Sequence, residues 1–340
     1  MARIALDAMG GDFAPSAPVA GALLALRELS AEHRVQLVGQ TDVIAHTLAS
    51  HLAGDYSAFA DVRDRLDIVE APEVIEMTDK PSAVLRSKPH SSMHVGLRLQ
   101  PDGRSDGFVS AGSTGAQMAV STMVLRLHVG VTRPAISTYF PSAIRHIVVL
   151  DSGANVDCSA QELVQFARLG AVYAEDLLGR TNPVVGLLNI GEEPEKGNAV
   201  AKEAHQLLLA SGLNFQGNVE GRDLPAGRSD RGPLDVVVCD GFVGNVLLKF
   251  YEGVGPFLFG LSAKHAGLSM EQLSGAFKEL DYSEHGGAPL LGVKGVSVIA
   301  HGKSGPRALK NAVRLAVRSV ESRMNEHIER RLAVPLATSI

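Results

Sequence analysis

The chain has 340 residues, of which 45% are hydrophobic and 20% are charged. A chain of this length and apolar content buries roughly three quarters of its unfolded surface, which excludes disorder as a dominant state. With 32 Lys and Arg against 37 Asp and Glu, the formal net charge is −5. This balance excludes a protein held to nucleic acid by general basicity.

The two cysteines, Cys158 and Cys239, form no CxxC pair. A disulfide framework and a four-ligand zinc site are therefore both excluded, and their apolar neighbours predict small buried hydrophobes rather than nucleophiles. Asp7 and Asp12 interrupt the apolar core that a secretory signal needs, and no run of about 18 apolar residues predicts a membrane span. We expect a cytoplasmic protein whose contact with the inner face of the membrane is at most peripheral.

Short apolar runs alternate with helix-patterned segments along the chain. Such runs are typical of strands buried on both faces of a mostly parallel sheet. They predict a doubly wound α/β fold, an α/β/α sandwich, with residues 1–340 forming a single catalytic unit. The predicted strands are 3–7, 35–38, 66–70, 107–110, 147–151, 184–189, 236–240 and 296–301, and the predicted helices include 18–29, 159–178 and about 306–331.

Six of the predicted strands end in small, polar, glycine-rich turns. In a parallel sheet these turns meet at the carboxyl edge, where ligands bind. Glycine lets the backbone approach a ligand, and a following helix offers N–H groups to an anion. We therefore expect a phosphate-sized anion site, the alternative being turns that serve geometry alone. The turns are AMGGD (8–12), SAGSTG (110–115), DSGAN (151–155), NIGEE (189–193), DGFVGN (240–245) and HGKSG (301–305).

Nucleotide and metal signatures are incomplete in this sequence. The GKS string at 302–304 resembles the end of a P-loop, but Ser297 stands where the first glycine is needed. The glycine pairs at 112/115 and 241/244 give only GxxG. The aspartates that follow the strands lie on separate turns, without a spacing that dictates a metal cage. We predict no nucleotide, no metal and no other cofactor.

Longer strings surround these turns: DAMGGD (7–12), SAGSTGA (110–116), LDSGANVD (150–157), GLLNIGEEPEKGN (186–198), GNVEGRD (217–223), VVVCDGFVGNVLLK (236–249), GGAPLLG (286–292) and IAHGKS (299–304). In this order they resemble the bacterial phosphate acyltransferase family, PlsX, from residue 3 to about residue 318. Two positions depart from the family pattern. Ser113 replaces the asparagine of AGNTGA, and His285 replaces an aromatic residue.

The resemblance implies transfer of a long-chain acyl group from acyl carrier protein to inorganic phosphate, giving an acyl phosphate for phospholipid synthesis. It also implies a homodimer with a fold similar to isopropylmalate dehydrogenase and phosphotransacetylase. Three alternatives stay open. They are a phosphotransacetylase-like enzyme that uses acyl-CoA, a decarboxylating dehydrogenase that needs NAD and a divalent ion, and a non-catalytic peripheral scaffold for lipid synthesis.

Phosphate is already an anionic nucleophile, so this chemistry needs positive charge and hydrogen-bond donors beside a carbonyl. Lys196 is the candidate to hold phosphate, the alternative being a solvated lysine in an acidic loop. Asn155 and Asn245 are candidate donors to the oxyanion, and His301 is the candidate acid for the departing thiol, or else orients its turn. The remaining phosphate- or substrate-binding candidates are Asp7, Gly10, Gly11, Asp12, Ser113, Thr114, Gly115, Asp151, Gly153, Asn189, Glu193, Asp240, Gly244, Lys303 and Ser304.

Two segments are candidates for contacts with larger partners. A weakly charged, apolar helical excursion over about 251–285 could line the acyl chain, touch a bilayer or form a dimer interface. Leu268, Met270 and Leu273 lie within it. A basic stripe at helical spacing near the C-terminus suits an acidic carrier protein, or is a solvated helix face. The stripe consists of Arg307, Lys310, Arg314 and Arg318.

Overall fold

A computed structural model of the protein describes residues 1–265 and 286–333. The chain divides into two compact units. The first comprises Met1–Leu127 and the described part of Ser283–Asn325, and the second comprises the described parts of His128–Tyr282 and Glu326–Ile340. Parallel strands with helices between them occur in both, which confirms the predicted α/β class. That residues 1–340 work as a single catalytic unit stays a prediction.

The elements of the described residues are numbered here in chain order. The strands are β1 (Arg3–Asp7), β2 (Arg34–Gly39), β3 (Leu66–Glu70), β4 (Gly107–Ser110), β5 (Ala135–Ile136), β6 (Thr138–Phe140), β7 (Ile147–Leu150), β8 (Val185–Leu188), β9 (Phe215–Val219), β10 (Arg228–Ser229), β11 (Gly232–Pro233), β12 (Val236–Val238), β13 (Ala288–Leu291) and β14 (Ser297–Ile299). The helices are α1 (Ser16–Glu28), α2 (Thr41–Ala53), α3 (Pro81–Ser87), α4 (Ser92–Arg98), α5 (Thr114–Leu125), α6 (Ala160–Leu178), α7 (Ala199–Leu209), α8 (Asp223–Ala226), α9 (Gly241–His265), α10 (Pro306–Glu321) and α11 (Met324–Leu332), with a 3-10 helix at Ser57–Arg65.

The strands of the first unit lie in the order β3-β2-β1-β4-β14-β13. All adjacent pairs are parallel except β13 with β14. The strand order reverses at β1, because β2 and β3 lie on one side of it and β4 on the other. In an open α/β sheet, ligands bind at such a reversal, beyond the carboxyl ends of the strands. The turns after β1, β4 and β14 are therefore neighbours at this edge.

Helices α1 and α10 pack closely in the first unit. A Cβ built on Gly21 would lie 2.8 Å from Leu309 Cβ, so the contact needs glycine on α1. Pro306 occupies the first turn of α10, where its missing N–H costs no helix hydrogen bond. At the other end of α1, Glu28 contacts both Lys310 and Arg314 at 2.7 and 2.8 Å. Two cations of the predicted basic stripe thus have a carboxylate partner within the unit.

The strands of the second unit lie in the order β6-β7-β12-β8-β9, with β6 antiparallel to β7. Phe140, Ile147 and Val237 belong to its buried core. Helix α6 begins with a capping box, in which Ser159 Oγ accepts the Glu162 N–H and the Glu162 carboxylate accepts the Ser159 N–H. This reciprocal pairing satisfies two otherwise orphaned donors and sets the start of the helix.

A buried carboxylate holds the amino ends of three parallel strands in the second unit. Asp235 is 4% exposed and immediately precedes β12. Its Oδ1 lies 3.1 Å from Arg145 Nη2, just before β7, and 3.4 Å from Arg180 Nε. Its Oδ2 accepts the N–H of Val184, just before β8, at 3.0 Å. The side chain therefore joins β7, β12 and β8 at the edge opposite their glycine-rich turns. We call this set of contacts the Asp235 clamp.

The eight predicted strands are present: 3–7, 66–70 and 107–110 match the observed bounds, and the other five differ by one or two residues at their ends. The predicted helix over 306–331 is divided into α10 and α11, because Arg323 between them adopts a φ of 57°. The predicted excursion over 251–285 is helical up to His265 as the continuation of α9, and 266–285 lies outside the described residues. None of the helices described in 1–265 and 286–333 combines the length and apolar character needed to cross a bilayer.

We expect Asp235→Ala to lower the free energy of unfolding by about 3 kcal/mol or more, because two partly buried guanidinium groups lose their counter-charge. The exposed Lys249–Glu252 pair provides the control, since Glu252→Ala removes a surface ion pair worth below about 1 kcal/mol. Urea unfolding followed by far-UV circular dichroism measures both, because the chain has no tryptophan. Equal losses in the two variants would contradict the clamp.

Candidate active site

All six glycine-rich turns lie at the carboxyl ends of parallel strands. Those after β1, β4 and β14 are adjacent in the first unit, and those after β7, β12 and β8 are adjacent in the second. The candidate residues therefore form two groups, one in each unit. We call them the Asp7 group (the turns 8–12, 110–115 and 301–305, with Asp7) and the Asp151 group (the turns 151–155, 189–193 and 240–245, with Lys196).

Asp7, the last residue of β1, is 2% exposed. Its Oδ2 accepts the hydroxyl of Ser110 at 2.7 Å, and its Oδ1 accepts the N–H of Met9 at 3.0 Å. Burial raises the pKa of Asp7, and hydrogen bonds from Ser92 and Ser110 oppose that rise. Ser110 Oγ in turn accepts the Gly112 N–H at 2.9 Å. Asp7 thus ties the β1 turn to the β4 turn.

Glycine is required where these turns approach one another. A Cβ built on Gly10 would lie 2.6 Å from Asp7 Oδ2 and 2.8 Å from Ser110 Oγ. Gly11 has a φ of +99°, which a side chain disfavours. The exposed Asp12 donates its N–H to the Gly302 carbonyl at 2.8 Å. The three turns of the Asp7 group are thereby joined into one surface of backbone groups.

This surface includes a helix N-terminus, a histidine and a lysine. Ser113 caps α5, its Oγ accepting the Ala116 N–H at 3.5 Å, and Thr114 and Gly115 begin the helix. The N-terminus of a helix offers N–H groups and a positive dipole end to an anion. His301 Nδ1 accepts the Lys303 N–H at 3.2 Å, so a neutral His301 carries its proton on Nε2.

Ser304, also predicted as a binding residue, is buried and donates its N–H to the His301 carbonyl at 2.8 Å. It closes the turn between β14 and α10. The neighbouring Lys303 side chain is exposed. Of this turn, His301 and Lys303 are therefore the residues whose side chains lie at the surface.

In the second unit, the Asp151 carboxylate is fully buried and organises the turn after β7. It accepts N–H groups from Ile136, Ala154 and Asn155 at 3.0, 3.1 and 2.6 Å, and from Gly153 at 3.2 Å. A carboxylate surrounded by donors in this way shapes the turn.

The side chain of Asn155 forms hydrogen bonds within the protein. Its Nδ2 donates to Asp151 Oδ2 at 2.9 Å and to the Pro134 carbonyl at 2.8 Å. An amide nitrogen carries two hydrogens, so neither is left for an oxyanion. The carbonyl of Asn155 accepts the Gly241 N–H at 2.7 Å, which ties the turn to the start of α9.

Asp240 and α9 form the neighbouring turn. Asp240 Oδ1 accepts the Val243 N–H at 2.8 Å and so caps the helix. A Cβ on Gly244 would overlap the Asp151 carbonyl oxygen, so α9 approaches the β7 turn only through glycine. The exposed Asn245 is the fifth residue of α9, and its Cγ would lie 3.4 Å from a Cβ on Gly153. Unlike Asn155, Asn245 presents its side chain at the surface.

Lys196 lies on the loop that follows β8, with its side chain 48% exposed. Its Nζ is 3.9 Å from Glu193 Oε1. Its carbonyl accepts Asn189 Nδ2 at 3.1 Å, so Asn189 holds the loop. Gly197 has a φ of +91°, and a Cβ there would lie 2.5 Å from Asn189 Oδ1. The loop therefore presents Lys196 beside exposed Glu193 and Glu195 on a constrained backbone.

Both thiols contact carbonyl groups of the Asp151 turn (151–155). Cys158 Sγ approaches the Asn155 carbonyl and Cys239 Sγ the Asp151 carbonyl, each at 3.6 Å. Burial raises the pKa of Cys158 to about 12 and that of Cys239 well above its ordinary value. Since the thiolate is the nucleophilic form, these raised pKa values disfavour either cysteine as a nucleophile at neutral pH.

One group of metal-ligand types, Glu32, His33 and Glu321, is close together within residues 1–265 and 286–333. His33 Nδ1 accepts the Ala2 N–H at 3.1 Å, so a neutral ring carries its proton on Nε2. That Nε2 lies 3.3 Å from Glu321 Oε1. The geometry fits a hydrogen bond from histidine to carboxylate and does not fit a metal-bound Nε2.

Three residues outside the glycine-rich motifs also border the Asp7 group. Met77 Cε would lie 3.4 Å from a Cβ on Gly302, and Pro81 Cγ would lie 2.8 Å from one on Gly115. Ser92, at the start of α4, hydrogen-bonds to the Asp7 carboxylate. The paired serines 91 and 92 before an apolar segment were the one available signal, since serine is typical of helix starts.

The Asp151 carboxyl gives a pH-dependent prediction. Burial raises its pKa above the ordinary 3.8, with hydrogen bonds from Ala154, Ile136 and Asn155 opposing. Between the two pKa values the folded state binds more protons, so this carboxyl's contribution to the free energy of unfolding falls as pH rises from 3.8. The Asp151→Asn variant lacks this titration. Urea unfolding measures the free energy of unfolding of both proteins. We expect the wild-type value minus the Asp151→Asn value to fall as pH rises and then to level off. A difference that rises with pH would contradict this assignment.

The chain matches the model of the fatty acid synthesis protein family over residues 2–327. It is 47% identical to the phosphate acyltransferase of Desulforamulus reducens over 330 residues, 94% of both chains. It is 46% identical to that of Heliobacterium modesticaldum, over 96% of this chain and 97% of the relative. The fold is similar to a phosphotransacetylase from Streptococcus pyogenes, with a TM-score of 0.62 and 18% identity over 94% of each chain. The chain therefore belongs to the fatty acid synthesis protein family, and its resemblance to the bacterial phosphate acyltransferases is confirmed.

Proposed function

We propose that this protein transfers a long-chain fatty acyl group from the thioester of acyl carrier protein to inorganic phosphate, forming an acyl phosphate for phospholipid synthesis. The observation that carries the proposal is the near full-length identity with relatives named phosphate acyltransferase. The strand-end turns, with their backbone donors and exposed Lys196, suit the anionic substrate and intermediate of this reaction.

The reaction needs no acylated residue. A phosphate oxygen attacks the thioester carbonyl carbon, a C–O bond forms, and the carbonyl oxygen becomes an oxyanion. The C–S bond then breaks, the acyl phosphate forms, and the carrier's sulfur leaves as a thiolate that takes up a proton. The raised pKa values of Cys158 and Cys239 agree with direct attack by phosphate.

In the Asp151 group, Lys196 and Asn245 carry the proposed charge and hydrogen-bond roles. Lys196 Nζ holds phosphate and offsets its charge, and Glu193 at 3.9 Å pairs with the lysine when phosphate is absent. Asn245 donates a neutral hydrogen bond to the oxyanion, which requires no proton transfer. Asn155 and Asp151 act by holding the turn beside Asn245, rather than by touching substrate.

In the Asp7 group, His301 is the proposed acid for the departing thiol. Its neutral form carries the proton on Nε2, because Nδ1 accepts the Lys303 N–H. Lys303 and the N-terminus of α5 add positive potential for an anionic group. A thiolate is itself a competent leaving group, so His301 contributes less than Lys196.

The acyl chain and the membrane are assigned to the exposed face of α9. Leu247, Leu248 and Tyr251 pack against the core of the second unit. Another face exposes Phe250 and Phe257, each 65%, in addition to Leu261. Apolar surface of this kind shields acyl methylenes and favours peripheral contact with a bilayer from the cytoplasm. Leu268, Met270 and Leu273 lie outside the described residues.

A homodimer and an acyl carrier protein docking face are part of the same proposal. The predicted basic stripe on α10 supports docking less than its sequence indicates. Glu28 contacts both Lys310 and Arg314 and so reduces their positive potential. Arg307 and Arg318 are exposed on the same helix.

The alternative donor is acyl-CoA, as in the phosphotransacetylase-like alternative that the sequence leaves open. The phosphotransacetylase structures are 16% and 18% identical to this chain, so they bear on the fold and do not favour this donor. Incubating the protein and phosphate with either thioester, at equal concentration, separates the two donors. Faster turnover of the acyl-CoA would remove acyl carrier protein from the proposal.

We expect Lys196→Ala to lower turnover by on the order of 10² or more, because an electrostatic donor to the reacting anion is lost. The melting temperature should barely change, since the side chain is 48% exposed. Lys202→Ala, an exposed lysine on α7, is the matched control and should keep normal turnover. Near-normal turnover of Lys196→Ala at saturating phosphate would remove this lysine from the reaction.

A second test replaces Phe250, Phe257 and Leu261 together with glutamine. Liposome binding and turnover of long acyl chains should fall, while turnover of short acyl chains persists because the anion-binding turns are unchanged. The control replaces three exposed apolar residues elsewhere, Met123, Val129 and Leu209, in the same way. If the α9 variant instead keeps lipid binding and long-chain turnover but becomes monomeric, this face is a dimer interface.

A further inference from the structure

The exposed Lys196 is on a loop whose backbone is held from inside the second unit. The Lys196 N–H donates to the Glu193 carbonyl at 3.1 Å, which closes a tight turn. The same carbonyl oxygen accepts Asn218 Nδ2 at 2.7 Å. Asn218 is on β9 and is 1% exposed. A buried amide therefore fixes the Glu193 carbonyl oxygen, which accepts the Lys196 N–H.

The direction of each hydrogen bond follows from the Glu193 carbonyl. A carbonyl can only accept, so Asn218 must present its Nδ2 to Glu193 and its Oδ1 to the other side. Oδ1 lies 2.9 Å from His205 Nδ1. His205 therefore carries a proton on Nδ1 and donates it to Asn218.

His205 itself has little freedom. It is 3% exposed on α7, and its ring meets Phe215 edge-on with centroids 5.3 Å apart. Helix α7 begins directly after the Lys196 loop, where Asn198 Oδ1 accepts the Ala201 N–H at 2.8 Å. The loop is thus fixed at its end by the cap of α7, and at its centre by the buried pair on α7 and β9.

We propose that His205 and Asn218 are positioning residues that set the place of Lys196 through the Glu193 carbonyl. We call this chain of hydrogen bonds the relay. This inference rests on the proposed role of Lys196 in holding phosphate. Neither side chain touches substrate, because both are buried beneath the loop. Their effect on the reaction therefore passes through the loop backbone.

The first test is Asn218→Ala, with Asn214→Ala as its matched control. Asn214 precedes the same strand, is exposed, and donates to the Asn182 carbonyl at 3.0 Å. Since a misplacement of about 1 Å can cost on the order of 10²-fold, we expect the KM for phosphate to rise roughly 10-fold in Asn218→Ala. The KM for the acyl donor should not change. Hydrogen exchange of the Glu193, Glu195 and Lys196 amides should quicken in Asn218→Ala alone.

The second test separates positioning from packing at His205. Asn in place of histidine keeps a donor near the Nδ1 position, whereas leucine fills space without one. His205→Asn should therefore retain a normal KM for phosphate, and His205→Leu should raise it as Asn218→Ala does. Equal kinetic defects in both His205 variants would show that packing alone is needed, and would overturn the relay.

Lys196→Ala, assayed alongside, distinguishes the failure of the relay from the failure of the proposed function. If Lys196→Ala loses turnover but Asn218→Ala keeps the phosphate KM of Asn214→Ala, the positioning claim is wrong and the role of Lys196 stands. If Lys196→Ala retains normal turnover, the proposed role of the lysine is wrong, and the relay, which depends on that role, is wrong with it. A quickened loop exchange with an unchanged phosphate KM would also overturn the relay.

Discussion

A buried carboxylate at the end of a parallel strand is the interaction on which both candidate groups depend. Asp7 ends β1, and Asp151 follows β7. Burial alone disfavours the charged form of each, as their raised pKa values show. Hydrogen bonds from turn N–H groups and hydroxyls offset part of that cost, and in return the carboxylate oxygens hold the turns in place. Removing either carboxylate leaves several backbone donors without an acceptor.

The glycines of these turns are required by the same buried carboxylates. With two oxygens collecting donors from neighbouring turns, the strand ends and helix starts come too close for side chains. Gly10 approaches Asp7 and Ser110, and Gly241 and Gly244 approach the Asp151 turn. What such packing leaves at the surface is backbone, a few neutral side chains and occasional lysines. This is a suitable environment for an anion, because preorganised donors need no reorganisation when charge develops.

The sequence predicts the strands and the six turns well, because both depend on local patterns. Apolar runs such as 147–151 are recognisable without their neighbours, and so is a glycine-rich turn after each run. Side-chain roles at the turns are less accessible. Asn155 and Asn245 look alike in the sequence. In the structure, Asn155 donates both amide hydrogens to groups within the protein, whereas the side chain of Asn245 is exposed.

Contacts between residues distant in the chain account for what the sequence does not reveal. The Asp235 clamp joins Arg145, Arg180 and Val184, and no periodicity links these positions. The link from His205 through Asn218 to Glu193 likewise depends on β9 lying beside β8. The interruption of the C-terminal helix depends on the backbone of Arg323, which no proline or glycine announces.

Direct transfer to phosphate is the central claim, and mass spectrometry tests it most directly. The purified protein is incubated with inorganic phosphate and a long-chain thioester of acyl carrier protein, and both the small-molecule product and the intact protein are weighed. The account predicts an acyl phosphate that forms only when phosphate is present, with no acyl adduct on the protein. The absence of acyl phosphate, or an acyl group trapped on Cys158 or Cys239, would contradict it.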